Sequence, residues 1–190
     1  MENFIETSRL EAFYDAIIAI IVTVLVLELP QPSGPTLVAL WNLKTSYFAY
    51  LVSFLICANI WQYHHSIYNH VERINSRVIW VNILLMFVLS LIPYLTSFVA
   101  DNLNSLLPQV LYGLNFIIVD IILFVMAKQL INLNPNNDYL EKSLNVKDAL
   151  YIPFIFFIIG FIIAFLGYPI AIVICCLITI VRSIYFSIIS

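Results

Sequence analysis

Six long apolar stretches limit what this chain can fold into. Crossing the hydrocarbon core of a bilayer takes about 20 helical residues. The stretches predict transmembrane helices at about residues 8–29, 40–66, 77–99, 107–131, 149–167 and 168–188. Hydrophobic residues make up 63% of the 190 positions and charged residues only 10%, against roughly 25% charged in soluble domains. The sequence therefore predicts an all-α integral membrane protein, with a single transmembrane domain over residues 1–190.

The lysines and arginines predict how these helices are oriented. Seven of them fall on one side of the predicted bundle and only Lys44 lies near the other. The seven are Arg9, Arg73, Arg77, Lys128, Lys142, Lys147 and Arg182. Because positively charged loops are retained in the cytoplasm, both termini are expected there, in agreement with an even number of crossings. We expect a multi-pass protein of the cell membrane.

Composition and spacing argue against several other classes of protein. The net charge is −3 and no basic run is present, so a nucleic-acid partner is not expected. The three cysteines, Cys57, Cys175 and Cys176, fall inside apolar runs without metal-ligand spacing, which favours a packing role over a disulfide or zinc site. Neither a metal nor a cofactor is expected.

The first helix joins a charged start, RLEAFYD at residues 9–15, to an almost purely apolar remainder. At about 100° per residue, four side chains project within about 60° of Ile20 on a helical wheel. They are Phe13, Thr23, Val24 and Leu27. Asp15 lies about 140° away from Ile20, so it should point towards neighbouring helices of its own subunit. A buried carboxylate there needs a partner, and Arg9 is one candidate.

The spacing Arg9-x-x-x-Phe13-Tyr14-Asp15 resembles the Arg-x-x-x-Phe-Ser-Asp signature of the transmembrane protein 175 potassium channels, in their prokaryotic single-repeat form. The likeness covers residue 9 to about residue 130. It continues through four further motifs: WQYHH at 61–65, WVN at 80–82, IPYLT at 92–96 and YGLN at 112–115.

This resemblance implies a homotetramer of six-helix subunits in the lipid bilayer, with helix one lining a central pore. It implies passive passage of potassium and other monovalent cations through a hydrophobic constriction, without a filter of backbone carbonyls. By register from the signature, the constriction falls on Ile20, Val24 and Leu27, and Thr23 and Phe13 line the pore beside it. Such a ring gates by dewetting, and no enzymatic activity is implied.

The resemblance also implies a polar network that holds the first helix. It would place the adjacent His64 and His65 with Arg9 and Asp15, and Asn82 of helix three is a further candidate partner. The chain departs from the signature at Tyr14, where the family has serine. A phenol is far bulkier than a hydroxymethyl group, so the network around Asp15 must be rearranged.

Some alternatives stay open at this stage. Glu28, at the external end of helix one, could concentrate cations at an outer mouth or simply be a solvated helix end. Asp120 should lie near the bilayer midplane, where ionisable residues are usually functional or paired. A proton-coupled secondary transporter that uses Asp15 or Asp120 is therefore the main alternative to a channel. A membrane enzyme that uses His64, His65 or His70 with Glu72 is a third.

Overall fold

The computed structural model describes residues 7–143 and 152–189 of the chain. The described part is built from α-helices. In chain order they are α1 (Thr7–Leu27), α2 (Leu37–Trp41), α3 (Lys44–Tyr68), α4 (Ser76–Leu89), α5 (Ile92–Asp101), α6 (Leu106–Leu133), α7 (Asp138–Ser143), α8 (Ile152–Phe165) and α9 (Ala171–Ile189). Lys147, used above to predict orientation, and the predicted start of helix five at residue 149 lie outside the described residues.

Two of the predicted spans are interrupted. The span predicted at 40–66 consists of α2 and α3, separated at Asn42 and Leu43. The span predicted at 77–99 consists of α4 and α5, separated at Ser90 and Leu91. A hydropathy pattern does not register the second break, because the residues around it are apolar. At the first break Asn42 and Lys44 are polar, but the apolar residues on both sides outweigh them.

Pro93 accounts for the break between α4 and α5. It lies in the first turn of α5, where a proline is tolerated because its missing N–H has no intrahelical partner there. The same missing donor prevents α4 from continuing through it. The last turn of α4 tightens instead, with the Leu91 N–H donating to the Val88 carbonyl at 3.2 Å. The Ser90 hydroxyl donates to the Phe87 carbonyl at 2.7 Å.

Three spans are long and apolar enough to cross a membrane: Thr7–Leu27, Ser76–Asp101 and Leu106–Leu133. The helices Ile152–Phe165 and Ala171–Tyr185 are apolar but shorter. Several apolar helices in one chain identify a multi-pass membrane protein.

The helices pack around a continuous apolar core. α1 lies against α3, α4 and α5, and α6 lies against α4 and α5. α8 and α9 form a hairpin that packs on α6, and α9 also contacts α3. Gly167 makes the hairpin turn with a φ of 105°, a left-handed conformation that glycine adopts without a steric penalty. Among the described residues, α1 thus has neighbouring helices on one of its sides, namely α3, α4 and α5.

Candidate pore helix and its anchors

Helix α1 has two sharply different faces. Its inner face is buried, at 8% exposure or less, and consists of Leu10, Tyr14, Ile18, Ile21 and Leu25. These positions repeat at intervals of three and four residues, the period of a helix face. The opposite face is uncovered, with Phe13 53%, Ile20 57% and Leu27 79% exposed. An apolar stripe of this size on a membrane helix must meet lipid or another subunit.

The residues predicted to form the constriction do not all lie equally on the uncovered face. Ile20 and Leu27 are fully on it, whereas Val24 is half-buried at its edge. Thr23 is exposed beside them, and its hydroxyl donates to the Ile20 carbonyl at 2.7 Å. Glu28 is exposed directly after the last residue of α1.

An aromatic stack fastens the inner face of α1 to α3. The ring of Tyr14 is fully buried and lies 3.6 Å from the ring of His64, with an angle of 6° between their planes. His64 in turn stacks on Tyr68 at 4.3 Å. The Tyr14 hydroxyl has no hydrogen-bond partner among the described residues. The tyrosine that replaces the signature serine therefore stabilises the contact between α1 and α3 through its ring.

Asn82 of α4 completes this anchor. Its side-chain oxygen lies 2.9 Å from Nε2 of His64, and its amide donates to the Tyr68 hydroxyl and to the Val78 carbonyl at 3.3 Å. Asn82 is fully buried and His64 is 1% exposed. One amide thus satisfies two aromatic side chains of α3 and fixes the stack against which Tyr14 packs.

Asp15 differs from the expectation of a buried carboxylate paired with Arg9. Asp15 is exposed on the subunit, and its partner is Trp61 of α3, whose indole N–H donates to Oδ1 at 2.8 Å. Arg9 is exposed as well, and no ion pair joins it to Asp15 in the described part of the chain. The reason is geometric, since six residues place the two side chains about 120° apart around α1.

The two adjacent histidines have separate environments. His64 belongs to the buried stack, whereas His65 lies on the outer side of α3 and stacks on Trp61 at 5.3 Å. Nε2 of His65 lies 3.0 Å from Nδ2 of Asn69. His65 therefore supports the tryptophan that holds Asp15. Sequence reasoning quoted Trp61 within a motif but missed its role, although its place one turn before His65 puts both rings on the same face of α3.

The residues considered for a membrane enzyme are used structurally. His70 stacks on Tyr139 at 3.6 Å, and its Nδ1 lies 2.9 Å from the Ser66 carbonyl oxygen. The backbone N–H of Glu72 donates to the side chain of Asn134 at 3.2 Å. Among the described residues, no group of three or more His, Cys, Asp or Glu is placed to hold a metal ion.

Comparisons with known proteins identify relatives of this chain. The family model described as "Endosomal/lysosomal potassium channel TMEM175" matches residues 9–93. A protein named as a potassium channel from Chryseobacterium sp. (strain P1-3) is 32% identical over 161 residues, covering 85% of this chain and 83% of the relative. Another from Streptomyces collinus is 33% identical over 104 residues, covering 53% of this chain and 50% of the relative.

A solved structure extends the likeness to nearly the whole chain. It is the crystal structure of a lysosomal potassium-selective channel TMEM175 homolog from Chamaesiphon minutus, with a TM-score of 0.79 and 26% identity. The match covers 96% of each chain. The chain belongs to the TMEM175 family.

Proposed function

We propose that this potassium channel of the TMEM175 family assembles as a homotetramer of six-helix subunits and conducts passively between four copies of α1. The observation that carries the proposal is the two-faced character of α1. Its inner face is anchored by the Tyr14–His64 stack, while its outer face is apolar and has no covering helix within the described part of the subunit. Four such faces around an axis form a closed apolar wall.

In this assembly Ile20 and Leu27 form two successive constrictions. At 1.5 Å per residue their seven-residue separation places the rings about 10 Å apart along α1. Rings of aliphatic side chains offer no ligands to a hydrated cation, so they exclude water and ions until they widen. The channel needs no cofactor, and its permeant species are potassium and other monovalent cations.

Thr23, Val24 and Phe13 have secondary positions in the proposed pore. The exposed Thr23 and Phe13 line it, and the half-buried Val24 contributes to the constriction from its edge. Glu28, beyond the end of α1, forms an outer ring of carboxylates that raises the local cation concentration.

We further place the protein in the cell membrane with both termini in the cytoplasm. The loop between α3 and α4 carries Arg73, and Arg77 follows in the first turn of α4, whereas the loop between α5 and α6, residues 102–105, carries no basic residue. This asymmetry supports a cytoplasmic position for the first loop and an external position for the second.

Potassium flux into liposomes tests the pore assignment. We compare the parent protein with Leu27→Ala and Ile20→Asn, which shorten or hydrate the proposed rings. Val26→Ala is the matched control, because Val26 is 48% exposed on the same helix but lies about 120° from Ile20. We expect faster flux in the two ring variants, an unchanged rate in the control, and no dependence on a proton gradient.

Two results would contradict the proposal. Unchanged flux in both ring variants would remove α1 from the ion path. A requirement for a proton gradient would instead favour the coupled transporter, with Asp15 or Asp120 as the proton carrier.

A further inference from the structure

A partly open cavity of about 320 Å³ lies beside α6. Helices α3, α6, α8 and α9 form its walls. Its size falls within the range of small-molecule sites, about 300–1,000 Å³. The hydroxyl of Ser183 on α9 donates to Asn59 on α3 at 2.9 Å, which fixes one wall. The proposed pore uses none of these residues.

Asp120 is the carboxylate of this cavity. It lies at the middle of α6 and lines the cavity. No hydrogen bond or ion pair joins its side chain to another residue that the structure describes. A carboxylate within a membrane protein is costly unless a partner satisfies it. The partner is therefore to be sought in the cavity itself.

Aromatic side chains line the cavity together with this carboxylate. Phe116 and Phe124 lie one turn before and one turn after Asp120 on α6, so all three occupy one stripe of the helix, and all three line the cavity. Tyr63 lines it from α3. A carboxylate together with aromatic faces is the combination that attracts organic ammonium groups, through charge pairing and cation–π contacts.

An inorganic cation fits this cavity poorly. Calcium takes six to eight oxygen ligands, whereas the cavity presents a single carboxylate, and no metal-binding cluster is present in the described ranges. An organic ammonium ion needs only one counter-charge, because its own alkyl or aryl groups fill the remaining space. The apolar wall of Leu123, Ala127 and Ile180 suits such groups.

Lys128 orients a ligand in this cavity. It lines the cavity together with Arg182, and it is eight residues from Asp120, about 12 Å along α6. A positive charge at Lys128 repels an ammonium group. The ammonium group is therefore favoured near the carboxyl group of Asp120, at the middle of α6.

We propose that this cavity is a binding site for an organic ammonium compound, whose charged nitrogen pairs with Asp120 between Phe116 and Phe124. The apolar body of the ligand extends towards Lys128 and Arg182. One site exists in each subunit, so the inference does not depend on the tetramer or on the pore assignment.

The test is equilibrium dialysis of isotope-labelled phenethyltrimethylammonium against the purified full-length protein in lipid nanodiscs. The competitor is its neutral isostere, in which a tert-butyl group replaces the trimethylammonium group. We expect saturable binding of one cation per chain and at least about thirtyfold weaker binding in Asp120→Asn. Phe124→Leu, which keeps the carboxylate, should weaken binding about three- to tenfold. Asp101→Asn is the control, because it removes an exposed carboxylate at the end of α5.

The site is supported if Asp120→Asn or Phe124→Leu weakens binding as stated, Asp101→Asn binds like the parent, and the isostere competes at least about tenfold more weakly. The proposal is overturned if the parent shows no saturable binding. It is overturned as well if Asp120→Asn and Phe124→Leu both bind like the parent, which would place the cation in the ion pathway. Equal competition by the isostere also overturns it, because the cavity would then be a general apolar site.

Discussion

At the scale of single residues, the orientation of α1 depends on one buried ring. Tyr14 stacks on His64, and His64 stacks on Tyr68, so rotating α1 would break an aromatic column that crosses the helix interface. Stacked aromatic pairs contribute about 0.5–1.5 kcal/mol beyond the area that they bury. The column thereby keeps Ile20 and Leu27 on the outer side of the subunit.

Substitutions at Tyr14 should separate the role of its ring from that of its hydroxyl. Tyr14→Phe should stay within about 1 kcal/mol of the parent in free energy of unfolding, because the hydroxyl has no partner to lose. Tyr14→Ala should lose about 3–5 kcal/mol, since it leaves a cavity in the core. Detergent-induced unfolding measures both. An equal loss in the two variants would show that the hydroxyl, not the ring, holds α1.

A second prediction concerns the amide at the centre of the anchor. Asn82→Leu should destabilise the protein by about 2–4 kcal/mol, because it removes the partner of Nε2 of buried His64 and leaves the Tyr68 hydroxyl with its weak bond to the Met126 sulfur at 3.8 Å. Asn104→Leu is the control, since Asn104 is exposed in the loop before α6, and we expect a change within about 0.5 kcal/mol. The same unfolding measurement applies. Similar losses in both variants would contradict a special role for the buried amide.

Sequence reasoning named some members of this anchor and missed others, for physical reasons. His64 and Asn82 stand out as polar residues in apolar helices, so their pairing could be anticipated. Tyr68 and Trp61 could not, because aromatic side chains suit lipid, core and interface equally well. The helical wheel placed Asp15 away from Ile20. Whether the Asp15 side chain is exposed depends on how α3 lies beside α1, and helical periodicity does not predict that.

At the scale of helices, packing depends on small residues at points of close approach. A Cβ atom built on Gly113 of α6 would lie 2.6 Å from Cγ2 of Ile172 on α9. One built on Gly160 of α8 would lie 3.1 Å from the sulfur of Cys175. Small residues allow membrane helices to approach closely, which supplies the packing that the hydrophobic effect does not provide inside a bilayer.

Gly113→Ala should therefore loosen the contact between α6 and the hairpin. We expect a loss of about 1–3 kcal/mol in the free energy of unfolding, the usual cost of overpacking, because Ile172 is fully buried. Gly34→Ala is the matched control, since no atom lies within 4 Å of its added Cβ. If Gly113→Ala is as stable as this control, α6 and α9 are less tightly packed than described.

The helices themselves follow closely from hydropathy, whereas their interruptions do not. The long apolar run that predicts a helix at 107–131 corresponds to α6, Leu106–Leu133, because its one proline, Pro108, lies in the first turn, where the missing N–H has no intrahelical partner to lose. Pro93 removes a backbone donor inside the run at 77–99, yet a single residue hardly lowers the apolar average of that run. Turn and breaker residues must therefore be weighed separately from hydrophobicity.

At the scale of the whole molecule, the two ends of the bundle differ in charge. This difference predicts an orientation in the membrane, which can be measured in living cells. The residues at 69–75 connect α3 to α4 and those at 102–105 connect α5 to α6. All three native cysteines are buried, so a thiol introduced at the surface can be labelled against a low background.

We expect a membrane-impermeant maleimide to label Asn104→Cys on intact cells and Glu72→Cys only after the cells are permeabilised. Both positions are exposed. They therefore form a matched pair, in which the expected difference is the side of the membrane on which each residue lies. Labelling is read by the mass shift of the purified protein. Labelling of Glu72→Cys on intact cells would reverse the proposed orientation.

The packing of α1 against helices of its own chain has a consequence for inheritance. In the proposed assembly each subunit packs α1 against its own helices. Each gene copy would therefore encode subunits that contribute one complete pore helix each. A cell that expresses a normal and an altered copy would then build mosaic channels. A change such as Leu27→Ala would then alter one quarter of the ring for each altered subunit in a channel, so a mixed population should show several levels of flux.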